Sequence, residues 1–219
     1  MVLLVSLVPF YIFIAEWTGD RVHHVPAIAL DRAMPLAAAW ALVYGALYLF
    51  LILLPVFVVR QEEHIRRTVL AYLSIWITAY VCFLLYPTMA SRPSIVTGHG
   101  FAAWGLRFLY GADPPFNCFP SLHVAHSFVS ALTSYRVNRG LGIASIVGAS
   151  LVGVSTLYTK QHYIADVVAG IVLACIAYLV FLRNVNVPMI DRRLAPLLAL
   201  TVAGIVAIAF IGCLVAFTV

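Results

Sequence analysis

Long apolar runs separated by short polar stretches leave this chain few ways to fold. Residues 35–59, 68–86, 141–158, 163–182 and 194–217 each approach the roughly 20 residues that a helix needs to cross a bilayer. Residues 121–135 form a further span, shorter and more mixed in character. A backbone in hydrocarbon must satisfy its own N–H and C=O groups, and a helix does so within one segment. The sequence therefore predicts an all-α fold, a polytopic integral membrane helical bundle. Only 10% of residues are charged, against about a quarter in a soluble domain, which excludes an ordinary soluble protein. Residues 1–16 are apolar but short. They lack a basic leader and a small-residue cleavage site, so they read as a first, tilted helix and not as a signal peptide. Residues 16–31 read as a polar loop and 86–120 as a long connection rich in Pro and Gly. With no linker or low-complexity segment, one transmembrane domain over 1–219 is expected.

The net charge of +5 bears on orientation and not on nucleic acid. Arg60, Arg66, Arg67, Arg136, Arg139, Arg183, Arg192 and Arg193 fall in loops at one end of the bundle. Arg21, Arg32, Arg92, Arg107 and Lys160 fall at the other. The richer end is expected in the cytoplasm. Three polar stretches then meet on the outer face, periplasmic or lumenal: the Arg92-Pro93 loop, Phe119-Pro120-Ser121-Leu122-His123, and Ser155 to Asp166.

These stretches hold the residues able to do chemistry. Pro120 suits the first turn of a helix, and the free N–H groups of a helix start attract anions. Ser121 either adds a hydroxyl donor there or caps the helix. His123, one turn in, can protonate a leaving oxygen. His162 and Asp166 are four apart and share a face if helical. A carboxylate on one imidazole nitrogen fixes the tautomer and frees the other nitrogen as a nucleophile. Ionisable groups such as Lys160, His162 and Asp166 at membrane depth point to function. Arg92 can hold phosphate oxygens. His126 either joins the substrate site or packs polar against a neighbour. His23, His24, His99, Arg107 and Asp113 read as ordinary loop residues, and Trp17, Trp40 and Trp104 as an interfacial belt. Cys82, Cys175 and Cys213 lie in apolar runs and Cys118 stands alone, so neither a metal site nor a disulfide framework is expected.

Taken together, the stretches resemble the type-2 phosphatidic acid phosphatase superfamily. Its pattern is Lys, six residues, Arg-Pro; then Pro-Ser-Gly-His; then Ser-Arg, five residues, His, three residues, Asp. Arg92-Pro93 matches the first part. Pro120, Ser121 and His123 match the second, with Leu122 in the glycine place. Ser155, His162 and Asp166 match the third, and the resemblance covers about residues 35–183. It implies a six-helix core, here with one extra C-terminal helix, and no metal or other cofactor. It also implies roles: His162 as nucleophile, Asp166 orienting it, His123 as general acid, and Arg92, Ser121 and Lys160 on the phosphate oxygens, with Ser155 and His126 as further candidates. The implied substrate is a phospholipid, sphingolipid or polyprenyl phosphate taken from the membrane.

Two positions depart from the pattern. Leu85 stands in the place of the first lysine and Thr156 in that of the third-motif arginine. Lys160 replaces at most one of these cations. The chain is in this respect more similar to the branch of inositol phosphorylceramide and sphingomyelin synthases, which move a phospho-headgroup between lipids. A phosphodiester carries less charge than a monoester and needs fewer cations. The reading therefore leans to a lipid phosphotransferase acting on an alcohol. Hydrolysis of a lipid phosphate or polyprenyl diphosphate is the alternative, and a non-catalytic lipid-binding protein of the same fold is the rival from another class.

Overall fold

A computed structural model describes residues 6–218. Its helices are α1 (Val8–Thr18), α2 (Ala29–Ala33), α3 (Trp40–Val58), α4 (Glu62–Leu85), α5 (Phe101–Ala112), α6 (Leu122–Val137), α7 (Arg139–Tyr158), α8 (Ile164–Ala177) and α9 (Leu194–Thr218). A π-helical turn, Tyr178–Leu182, extends α8. No strand occurs among the described residues, and the predicted helical bundle holds. Among the described residues five helical segments are long and apolar enough to cross a membrane: α3, α4, α7, α8 with its π turn, and α9. Their outer faces carry exposed Val168, Val172, Ile176, Leu200, Ile208 and Ile211, side chains that suit lipid better than water.

The sequence-based boundaries shift in four places. The first helix covers only Val8–Thr18, and the part of its predicted run in residues 1–5 lies outside the described residues. The polar loop contains the short helix α2. The 86–120 connection contains α5, whose Phe101, Trp104 and Phe108 rings stack along it; Phe217 of α9 meets the first two. The third predicted span begins earlier, at Glu62, because Glu62 and Glu63 suit the positive end of the helix and Glu63 pairs with Arg66 and Arg67 at 2.6 and 2.7 Å.

The helix α6 is the hub. It lies against α3, α4, α7 and α8 and buries most of its length. Enclosure explains its composition: Ser127, Ser130, Thr133 and Ser134 are fully buried in the protein and spared from lipid. One of them repairs a neighbour. Pro55 inside α3 lacks the N–H that would pair with the Leu51 carbonyl, and the Ser130 hydroxyl donates to that carbonyl instead. Small residues set the close approaches. A Cβ on Gly170 of α8 would stand 2.7 Å from the Ser121 carbonyl oxygen, and one on Gly142 of α7 would stand 2.3 Å from Tyr135 Cα.

The loops at the α6 start are knitted together. His24 exchanges backbone bonds with Pro87 and Met89, and Ala90 N–H donates to the Pro115 carbonyl. Buried Thr88 accepts from the N–H groups of both Cys118 and Phe119 at 3.0 Å. Thus three loops distant in sequence are tied into one cap above the bundle.

Candidate active site

The chain leaves α7 through a Schellman turn. Gln161 N–H bonds to the Thr156 carbonyl, Lys160 N–H bonds to that of Leu157, and Lys160 itself sits at φ +55. The turn releases His162 just ahead of α8. His162 precedes the helix, as the span expected from Tyr163 implies, and Asp166 is in its first turn, so the two meet across the helix start and not along one helix face. There Asp166 Oδ2 accepts from Tyr163 N–H at 2.9 Å, which closes the helix start. The same oxygen lies 3.4 Å from His162 Nδ1, an electrostatic contact outside hydrogen-bond geometry. Asp166 is fully buried, and its Oδ1 has no partner among the described residues. Its backbone carbonyl accepts from Ser121 N–H at 3.1 Å, locking α8 to the start of α6.

Across this junction His123 Nδ1 stands 3.2 Å from His162 Nε2. One nitrogen of that contact must donate and the other accept. With the Nδ1 proton of His162 toward Asp166, Nε2 holds the lone pair and His123 holds the proton. Tyr44 and Tyr48 of α3 present themselves edge-on to His123 at 5.4 and 5.1 Å between ring centres. Neither was singled out in the sequence, although their spacing of four placed both on one helix face.

Ser121 is the N-cap of α6, so Pro120 sits before the cap and not in the first turn. The Ser121 oxygen accepts from Val124 N–H at 3.4 Å and is fully buried. Arg92 lies at the rim. It donates to the Asp113 carbonyl at 2.5 Å, stands 3.6 Å from the Asp113 carboxylate and lies over the Tyr110 ring at 4.8 Å. Asp113, read as an ordinary loop residue, is thus the counter-charge of Arg92, and it also accepts from the Tyr11 hydroxyl at 2.9 Å.

The structure does not gather every candidate. Lys160 Nζ donates to the carbonyls of Asp31 and Met34 at 3.0 and 2.5 Å, so it fastens the α2 segment to the α7–α8 turn. Asp31 completes that tie through a 2.9 Å bond from Ile164 N–H. The Ser155 hydroxyl is spent on the Val152 carbonyl at 2.6 Å inside α7. His126 faces elsewhere, among Tyr48, Tyr72 and Trp76. Cys118, read as standing alone, places Sγ so that one donor atom each from Cys118, His162 and Asp166 lie within 4.8 Å of one another. Burial pushes its thiol up, so it keeps its proton at neutral pH.

Fold and site together define a polytopic helical membrane protein with a histidine pair, backed by a buried carboxylate, at one end of the bundle. The chain belongs to the PAP2 superfamily, whose family model matches residues 15–180. A PA-phosphatase related-family protein of Dictyostelium discoideum is 26% identical over 130 residues, which covers 53% of this chain and 24% of the relative. The chain thus spans about a quarter of the length of that relative. No solved structure matches it.

Proposed function

We propose that this protein moves a lipid phosphate group through a covalent intermediate on His162. The observation that carries the reading is the 3.2 Å contact between His162 Nε2 and His123 Nδ1, with Asp166 behind the first ring. In the first step the Nε2 lone pair attacks phosphorus, the bond from phosphorus to the leaving oxygen breaks, and His123, which enters the step as the doubly protonated imidazolium and leaves it as the neutral ring, gives one proton to that oxygen. Asp166 stabilises the positive imidazole that forms. In the second step His123 takes a proton from the acceptor hydroxyl, whose oxygen attacks phosphorus, and the N–P bond breaks. Phosphate oxygens are met by the positive end of α6 and by Arg92.

The acceptor separates two readings. Leu85 and Thr156 supply no charge, Lys160 is engaged with carbonyls, and Arg92 is balanced by Asp113. A site so poor in free cations suits a singly charged phosphodiester donor and headgroup transfer to an alcohol. The name of the Dictyostelium relative favours the second reading, hydrolysis of a phosphate monoester. The outer-face location follows from the basic residues gathered at the opposite end. The test gives purified enzyme a radiolabelled diester phospholipid, phosphatidic acid or polyprenyl diphosphate, with and without a lipid alcohol. A new diester product that depends on the alcohol is expected. Release of inorganic phosphate alone would leave a lipid phosphatase.

A further inference from the structure

We propose that the cavity between α3 and α4 holds the acyl chain of an ester- or amide-linked lipid, and that His126 donates a hydrogen bond to the carbonyl oxygen at the head of that chain. The proposal deepens, and rests on, the reading of a lipid phosphate at His162.

The cavity has a volume of about 430 Å³, within the range of small-molecule sites. Its wall is apolar, with Ile52, Val56, Ile65, Val69 and Trp76 among its lining. From Tyr48 to Val59 it follows α3 for eleven residues, about 16 Å at 1.5 Å each. That is about half of the hydrocarbon thickness, at a depth where a lipid chain and not water is the available occupant.

His126 is what makes this site more than an apolar groove. It is 4% exposed, and its Nε2 has no partner among the described residues. A buried polar atom without a partner is costly, and more so at membrane depth. Its Nδ1 lies 3.5 Å from the Tyr48 hydroxyl. If that hydroxyl donates, the proton of His126 resides on Nε2, which then requires an acceptor oxygen from the ligand. The position fits such a ligand. His126 follows His123 by three residues, about 4.5 Å along α6, and Tyr48 touches both rings. A lipid with phosphorus at His162 therefore brings the first carbonyl of its chain to the level of His126, with the chain running down the cavity. A polyprenyl chain has no oxygen to offer there, so the site selects glycerolipids or sphingolipids.

Two measurements test this. In the first, a phosphatidic acid carrying a diazirine midway along one acyl chain is photolysed with wild-type protein and with the His162→Ala variant. Labelled peptides from 52–59 and 65–76 are expected; labelling confined to the lipid-facing surfaces of α8 and α9 would overturn the proposal. This arm needs no turnover, so it decides occupancy even if the catalytic reading fails. In the second, diacyl and dialkyl-ether donors of equal chain length are compared by kcat/KM. The wild type is expected to prefer the diacyl donor by about 5–10-fold, the worth of one hydrogen bond. His126→Leu should reduce that preference to about twofold or less, and His126→Gln, which keeps a donor, should restore part of it. An undiminished preference in a folded His126→Leu protein would remove His126 from carbonyl recognition.

Discussion

His162→Ala is expected to abolish turnover and leave the bundle folded, because among the described residues the imidazole makes one side-chain hydrogen bond, to His123. Asp166→Asn tests the partner. An amide can still accept from Tyr163 N–H and close α8, but it cannot stabilise the charged imidazole. Activity should fall on the order of 10⁴-fold, as when a serine-protease triad loses its carboxylate charge, with little change in melting temperature. Single-turnover kinetics and thermal unfolding measured side by side separate these effects; near-normal activity in either variant would defeat the assignment. Lys160 makes the opposite case. Its ammonium holds carbonyls and its backbone is left-handed, so Lys160→Gly loses two hydrogen bonds and gains an easier conformation. Activity within about tenfold of wild type is expected, since both lost bonds, charge-assisted and each contributing about 1.5–3 kcal/mol, hold the α7–α8 turn and neither reaches the phosphate. A loss comparable to that of Asp166→Asn would return Lys160 to the phosphate.

At the scale of elements, the site depends on how closely α8 approaches the start of α6. Gly170 permits that approach, because any Cβ would meet the Ser121 carbonyl at 2.7 Å and Val124 Cβ at 3.2 Å. Gly170→Ala must push the two helices apart and with them His162 and His123. Gly142 allows a still tighter contact of α7 with Tyr135, whose Cα would lie 2.3 Å from a Cβ there, but at the far end of the bundle. Both Ala variants are expected to lose stability by about 1–3 kcal/mol, the usual cost of overpacking. Gly170→Ala should also lose kcat at temperatures where both remain folded, while Gly142→Ala keeps it. Equal kcat in the two variants would show that the junction tolerates movement.

For the whole molecule the open quantity is orientation. The ends of α4 and α7 and the starts of α3, α6 and α8 gather at the site, and the Arg-rich loops gather at the other end. Under the proposed orientation, the Arg-rich end lies in the cytoplasm and the site faces outward. Ile95, which is 74% exposed in the loop after Arg92, is the place to ask. Ile95→Cys is expected to react with a membrane-impermeant thiol reagent in intact cells, and Arg192→Cys only after the membrane is opened. The reverse pattern would invert the protein.

By itself the sequence determined that the chain is a membrane helical bundle, since long apolar runs in lipid have one backbone solution. It also marked His123, His162 and Asp166, because spaced polar residues are conspicuous in an apolar chain. What it could not show was which polar side chains are already satisfied. Lys160 and Ser155 looked like phosphate ligands until the fold supplied carbonyls for them. Asp113, Asp31, Thr88 and Cys118 looked idle until loops from distant positions met over the start of α6. His126, so near His123 in sequence, shares Tyr48 with it but lies about one turn further along α6, where Tyr72 and Trp76 of α4 are its neighbours in place of His162. Partners across 21 to 133 residues are chosen by packing, and local pattern carries no record of them; only the tertiary structure decided which polar groups hold the fold and which remain free for chemistry.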